Sequence, residues 1–221
     1  MDRHPVMQMI STPRFWLVLI TLIGGLLRAA HLLEIEHNID RAYPLWQALM
    51  TLEHGMFPTT GQGTSVLFAN PPLMGYLLLP FVALSRVPLG AYVVVIALNT
   101  IGIGFTYKAV RLVASPRAAL FAAFLMAVNP WMIEYSRLTW VQGLLPFLAP
   151  ALAWALWSVL LERAAHPGRR LLLALLLLII AAQTYLLAFA LAASVALTLI
   201  VFTLWRARQR ASAGRRRCGA R

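Results

Sequence analysis

The sequence holds a single cysteine, Cys218, so no disulfide can form within the chain and no cysteine-based zinc site can be assembled. Charge is scarce as well: 12% of the 221 residues are charged, against roughly 25% in an ordinary soluble domain. Acids are scarcer still, 7 against 19 Lys and Arg. Glycine and proline, at 13 each, stand near their usual share, and neither a low-complexity tract nor a fixed-period repeat is present, which excludes disordered, collagen-like and solenoid readings. What remains is apolar. Hydrophobic residues make up 61% of the chain, above the roughly 45–50% of soluble domains, and this excludes a water-soluble globule in favour of an integral membrane protein. The formal charge of +12 does not point to nucleic acid, because the basic residues lie between apolar runs and in a tail rather than on one face.

A helix rises 1.5 Å per residue, so a hydrocarbon core of about 30 Å takes roughly 20 apolar residues to cross. Charge-poor stretches then predict an all-α polytopic fold of six spans, at about 15–33, 90–107, 118–133, 138–161, 171–184 and 187–205. The last two come from one run, 171–205, which at about 52 Å is too long for a single pass. Gln183, Thr184 and Tyr185 are the expected turn, with Gln183 as a polar amide gluing the helices. Residues 71–85, opened by Pro71 and Pro72 and interrupted by Pro80, are too short and proline-rich for a span. They are expected as an interfacial helix on the outer face.

Cationic flanks stay on the cytoplasmic side during insertion. With both termini inside a cell or plasma membrane, 15 of the 19 Lys and Arg fall in cytoplasmic segments, including the basic tail 206–221, whereas Glu34, Glu36, Asp40, Glu53 and Glu134 fall outside. A single long final helix would export that tail.

The outer loop, 34–89, carries four of the seven acids. Within it Tyr43, Trp46, Leu49, Met50 and Leu52 recur at helical spacing, which predicts an amphipathic helix over 41–54 lying on the membrane. Gly55 marks its end. Asp40 stands just before it and has two readings that can coexist. It is an N-cap worth about 1 kcal/mol, or a general base at the water–membrane boundary.

The order of these elements resembles a known family. Arg28 near the outer end of the first span, Asp40, Tyr43, the amphipathic helix, and Asn70, Pro71, Pro72, Leu73 and Tyr76 come first. The later run Asn129, Pro130, Trp131, Tyr135, Ser136, Arg137, Trp140 and Gln142 follows. Together, over about residues 14–205, they resemble the N-terminal part of the GT-C glycosyltransferases, the superfamily of protein O-mannosyltransferases and lipid A aminoarabinose transferases. The resemblance implies a polyprenyl-phosphate-linked sugar donor entering from the outer leaflet. Asp40 would then deprotonate an acceptor hydroxyl that attacks the anomeric carbon with inversion, and Arg41, Tyr43, Arg137 and Gln142 would bind substrate. Members of the family usually have about twice as many spans, so a partner chain supplying the remainder is an expectation as well.

The chain departs from the family pattern in two places. Arg41 follows Asp40 where the family commonly has an Asp–Glu pair, and Gln142 takes the second acidic position. No cofactor is therefore assigned, since neutral Gln is a poor ligand for a hard divalent cation. Glu134 is expected to pair with Arg137, three residues on. His31 is expected at lipid headgroups, and His37 and His54 lack metal-pair spacing. Trp16, Trp131, Trp140 and Trp205 are expected in an aromatic belt, Trp154 and Trp157 in packing. The alternatives are a non-catalytic component that binds lipid-linked sugar or completes another chain, and a small transporter, which would need ionisable residues in mid-span.

Overall fold

A computed structural model describes residues 12–30, 32, 38–64 and 68–218. His31, Glu34, Glu36 and His37 lie outside the described residues. The described chain is all-α: α1 Pro13–Ala29, α2 Ile39–His54, α3 Leu73–Ser85, α4 Leu89–Arg111, α5 Pro116–Val128, α6 Pro130–Tyr135, α7 Leu145–Leu160, α8 Pro167–Thr184 and α9 Ala188–Cys218. It divides into two compact units, Met1–Leu186 and Leu187–Arg221.

Helix boundaries follow local chemistry. Thr12, Asn38, Ser115 and Asn129 each turn a side-chain oxygen onto a backbone N–H of the following first turn, at 3.4, 3.0, 3.3 and 3.1 Å. Proline opens α1, α5, α6 and α8, where its missing N–H costs nothing. Gly55 closes α2 in the left-handed conformation at φ 64°, which glycine adopts without strain.

In the first unit α4 is the central helix, packed against α1, α3, α5 and α7. Its buried stripe is Tyr92, Val95, Ile96, Asn99, Gly102 and Ile103, the three- and four-residue recurrence of one helix face. Small residues bring the axes close: a Cβ on Gly102 would stand 2.5 Å from the Pro146 carbonyl oxygen of α7, and one on Gly24 of α1 would stand 3.0 Å from the Ala127 side chain of α5. α2 packs on α3, α3 also touches α8, and α7 packs on α8. Meanwhile Val18, Leu22 and Leu26 of α1, Phe121 of α5, and Leu172 and Ile179 of α8 point outward. Arg28, Asn99, Ser136, Thr139 and Thr184 are fully buried. Large apolar side chains on the outer surface, with small and polar residues sharing the interior with apolar ones, is the arrangement of a protein solvated by lipid.

Among the described residues, three helices are long and apolar enough to cross a membrane: Leu89–Arg111, Pro167–Thr184 and Ala188–Arg206 of the second unit. Shorter apolar helices are Leu73–Ser85, Pro116–Val128 and Leu145–Leu160. The chain is a membrane protein on these grounds.

Several details differ from the sequence reading. The run 118–133 is interrupted at Asn129, which ends α5 in an extended conformation and caps α6, because a residue preceding proline is held out of the helical region. The run 138–161 becomes helical only at Leu145. Residues 136–144 are turns and irregular chain, with Leu138, Val141 and Leu144 buried. Gln183 is exposed, and its neighbour Thr184 is the buried polar residue, with its hydroxyl donating to Ala181 O at 3.0 Å. Helix α9 continues to Cys218, so most of the basic tail is helical.

Candidate active site

The first turn of α2, helix α6 and the chain 138–140 meet around a cavity of about 240 Å³ lined by Asn38, Asp40, Arg41, Trp131, Glu134, Tyr135, Leu138 and Trp140. These residues come from segments at least 90 positions apart, and specific contacts join them. Arg41 Nη2 donates to Glu134 Oε1 at 3.1 Å, an ion pair at the rim. Thr139 Oγ1 donates to Arg41 O at 2.7 Å. The Gln62 side-chain amide donates to Asp40 Oδ1, so the loop after α2 folds back over the carboxylate.

Asp40 is not the N-cap of α2, contrary to one of its two sequence readings. Asn38 takes that place, its Oδ1 accepting from Arg41 N, and Asp40 lies in the first helical turn. There it is released from capping and faces the cavity, where a carboxylate is favoured by the helix N-terminus.

A buried arginine anchors Ser136, which follows the α6 residues that line this cavity. Arg28 is fully buried; its Nε donates to Ser136 Oγ at 3.1 Å, its Nη1 to Gly24 O and Ala127 O at 2.9 and 3.0 Å, and its Nη2 to Met126 O at 3.0 Å. Two of these carbonyls end α5, where the last turn of a helix leaves acceptors without partners. Asn99 Nδ2 adds bonds to Ser136 O at 3.3 Å and Gly143 O at 2.7 Å. Thus α1 and α4 fix the 136–144 segment that supplies Leu138 and Trp140 to the cavity.

The predicted site residues divide into two groups. Asp40 and Arg41 line the cavity together. Tyr43 and Gln142 are half-buried and do not line it; the Tyr43 ring lies against Trp46, centroids 5.5 Å apart. Arg137 is also half-buried and outside the lining; its Nη2 donates to Leu27 O at 2.8 Å, and its Nε is buried without a partner. Glu134 pairs with Arg41 rather than with Arg137, because Arg137 turns back to the end of α1. Trp131 and Trp140, read as aromatic-belt residues, line the cavity. Gln62 carried no sequence signal, because its role arises from a loop closure across 22 residues.

The donor set does not suit a divalent cation. Of the two acids at the cavity, Glu134 is already neutralised by Arg41, and among the described residues no group of three His, Cys, Asp or Glu converges. The arrangement suits a small, polar, hydroxyl-bearing ligand instead: the Asp40 carboxylate, the Arg41–Glu134 pair and aromatic walls. No family model, curated protein or solved structure matches this chain.

Proposed function

We propose that the chain is a six-span membrane protein of GT-C type, with both termini cytoplasmic in the cell membrane. In this reading it transfers a sugar from a polyprenyl-phosphate donor to an acceptor hydroxyl at the outer face. The observation that carries this reading is the meeting of Asp40 and Arg41 with Trp131, Glu134, Tyr135 and Trp140 in one cavity, because these are the two sequence segments on which the resemblance rests. In this mechanism the Asp40 carboxylate accepts the proton of the acceptor hydroxyl. The oxygen bonds to the anomeric carbon as the bond from that carbon to the phosphate oxygen breaks, and one displacement inverts the centre. Arg41 takes up the charge left on the lipid phosphate, with Arg137 as the next cation.

Two further observations support it. The cavity, at about 240 Å³, lies below the roughly 300–1,000 Å³ of drug-sized ligand pockets, a size that suits one sugar headgroup with its lipid outside. Tyr92, near the start of α4, meets Thr139 beside Arg41, whereas Lys108 lies 16 residues further along the same helix, about 24 Å away. Basic groups at the far end and the carboxylate at the near end fit the positive-inside orientation.

A second reading, binding of lipid-linked sugar without transfer, alone or completed by a partner chain, is favoured by the engagement of both reactive groups. Asp40 holds Gln62, and Arg41 holds Glu134. One assay separates the two. Purified protein in lipid nanodiscs, given a radiolabelled polyprenyl-phosphate sugar and acceptor alcohols, is expected to transfer sugar, and Asp40→Asn to reduce the rate by about 10²–10⁴ with donor binding retained. Donor binding without turnover in the parent chain would establish the second reading.

A further inference from the structure

At the end of α4 opposite the cavity, two cations converge on one aromatic ring. The guanidinium carbon of Arg170, in the first turn of α8, stands 3.8 Å from the Trp154 ring centroid, and Lys108 Nζ stands 5.2 Å from the same centroid. Lys108 is also 5.1 Å from the Phe105 ring, and Phe105 leans on Trp154 with centroids 5.2 Å apart. The two charges are therefore at most 9.0 Å apart, the sum of their distances to the shared ring.

Such like charges repel, and the usual remedy is an intervening carboxylate. None is present: among the described residues, neither Lys108 nor Arg170 pairs with an acid, and neither side chain donates a hydrogen bond. All three ammonium donors and all five guanidinium donors remain unspent. The neighbouring Arg111 and Arg163 differ in this respect, since they donate to Ala114 O and Leu112 O and so fix the turn beyond α4. The ring attraction holds the first two cations in place while leaving their N–H groups for something else.

We propose that Lys108 and Arg170, seated on Trp154, form a binding site for an anionic phosphate ester, namely the headgroup of an acidic membrane phospholipid. In this proposal a phosphate accepts from both cations, which lie at most 9.0 Å apart, and replaces their mutual repulsion with two charge-assisted hydrogen bonds. The lipid source follows from the surroundings. α8 turns Leu172, Leu175 and Leu176 outward immediately after Arg170, so acyl chains have an apolar face to lie on. This site is remote from Asp40 and does not depend on the glycosyl-transfer reading.

The test is native mass spectrometry of the full chain in detergent, titrated with phosphatidylglycerol or phosphatidylcholine, alongside thermal melting. We expect retention of phosphatidylglycerol over phosphatidylcholine and a rise in melting temperature with the acidic lipid. Lys108→Gln should weaken binding about five-fold and the double change Lys108→Gln, Arg170→Gln about 30-fold, the effect of about one surface cation each. Arg117→Gln, a change elsewhere in the basic segments, should leave it unaltered. Should the double variant lose its circular dichroism spectrum, the single Lys108→Gln decides. Unchanged phosphatidylglycerol binding in a folded variant would overturn the site, as would an equal loss with Arg117→Gln. Equal stabilisation by millimolar inorganic phosphate would overturn the lipid assignment.

Discussion

Arg28 is a cation without a carboxylate, enclosed by four neutral acceptors. Burying a charge is costly unless its hydrogen bonds are complete, and here they hold the end of α5 to α1 and to Ser136. Replacement by leucine leaves the Met126 and Ala127 carbonyls without their donor. Arg28→Leu is therefore expected to destabilise the protein by about 2–4 kcal/mol, read as a lowered melting temperature in detergent; a melting temperature equal to the parent's would show that water or lipid satisfies those groups. The ion pair of Arg41 and Glu134 is a different case. Its glutamate side chain is 47% exposed, and exposed pairs contribute at most about 1 kcal/mol, so Glu134→Gln should barely change stability. Under the proposed mechanism it frees Arg41 for a phosphate, and a lower KM for donor is expected; a raised KM would place Glu134 among the groups that bind substrate. The cap on α2 is likewise separable from chemistry: Asn38→Ala should cost about 1 kcal/mol of stability.

Among elements, the crossing of α4 and α7 depends on a missing side chain. A Cβ at Gly102 would approach Pro146 O to 2.5 Å and Phe147 Cα to 3.0 Å, both backbone atoms that cannot swing aside. Gly102→Ala is accordingly expected to cost about 1–3 kcal/mol, whereas alanine at Gly104, which meets nothing within 4 Å, should not; equal melting temperatures for the two variants would contradict this packing. Element identity was largely legible from apolar runs and caps, as with α2, whose helix and Gly55 stop both appear, although its buried face is Pro44, Leu45, Gln47, Ala48 and Thr51 rather than the expected stripe. Element ends were less so. Hydropathy is blind to the Asn129–Pro130 break, although an Asn before a proline is itself a boundary signal. It is equally blind to 136–144, where apolar residues are buried in turns while Asn99 donates to two backbone carbonyls of the segment and Arg28 to the Ser136 hydroxyl. The Asp40 cap reading failed for a related reason: Asn38 and Asp40 are both good capping residues, and composition does not say which one the helix starts after.

For the whole first unit, the two ends of α4 carry different clusters. One end meets the cavity with Asp40, Arg41 and Glu134; the other carries Lys108 and Arg111 beside Arg163 and Arg170. The membrane polarity proposed from charge counts, on the ground that insertion sorts basic flanks, would place the Lys108 end in the cytoplasm. The convergence of Arg41 on Glu134 across 93 positions was not legible in the sequence, since sequence spacing carries no information on which loops meet. Cysteine accessibility measures this polarity, and the scarcity of cysteine makes it clean: the native Cys218 reports the tail, and Thr59→Cys in a Cys218→Ala background reports the exposed loop after α2. With a membrane-impermeant maleimide on intact cells, the account predicts labelling at position 59 and labelling of Cys218 only after permeabilisation. Labelling of Cys218 in intact cells, with position 59 shielded until the membrane is opened, would contradict it.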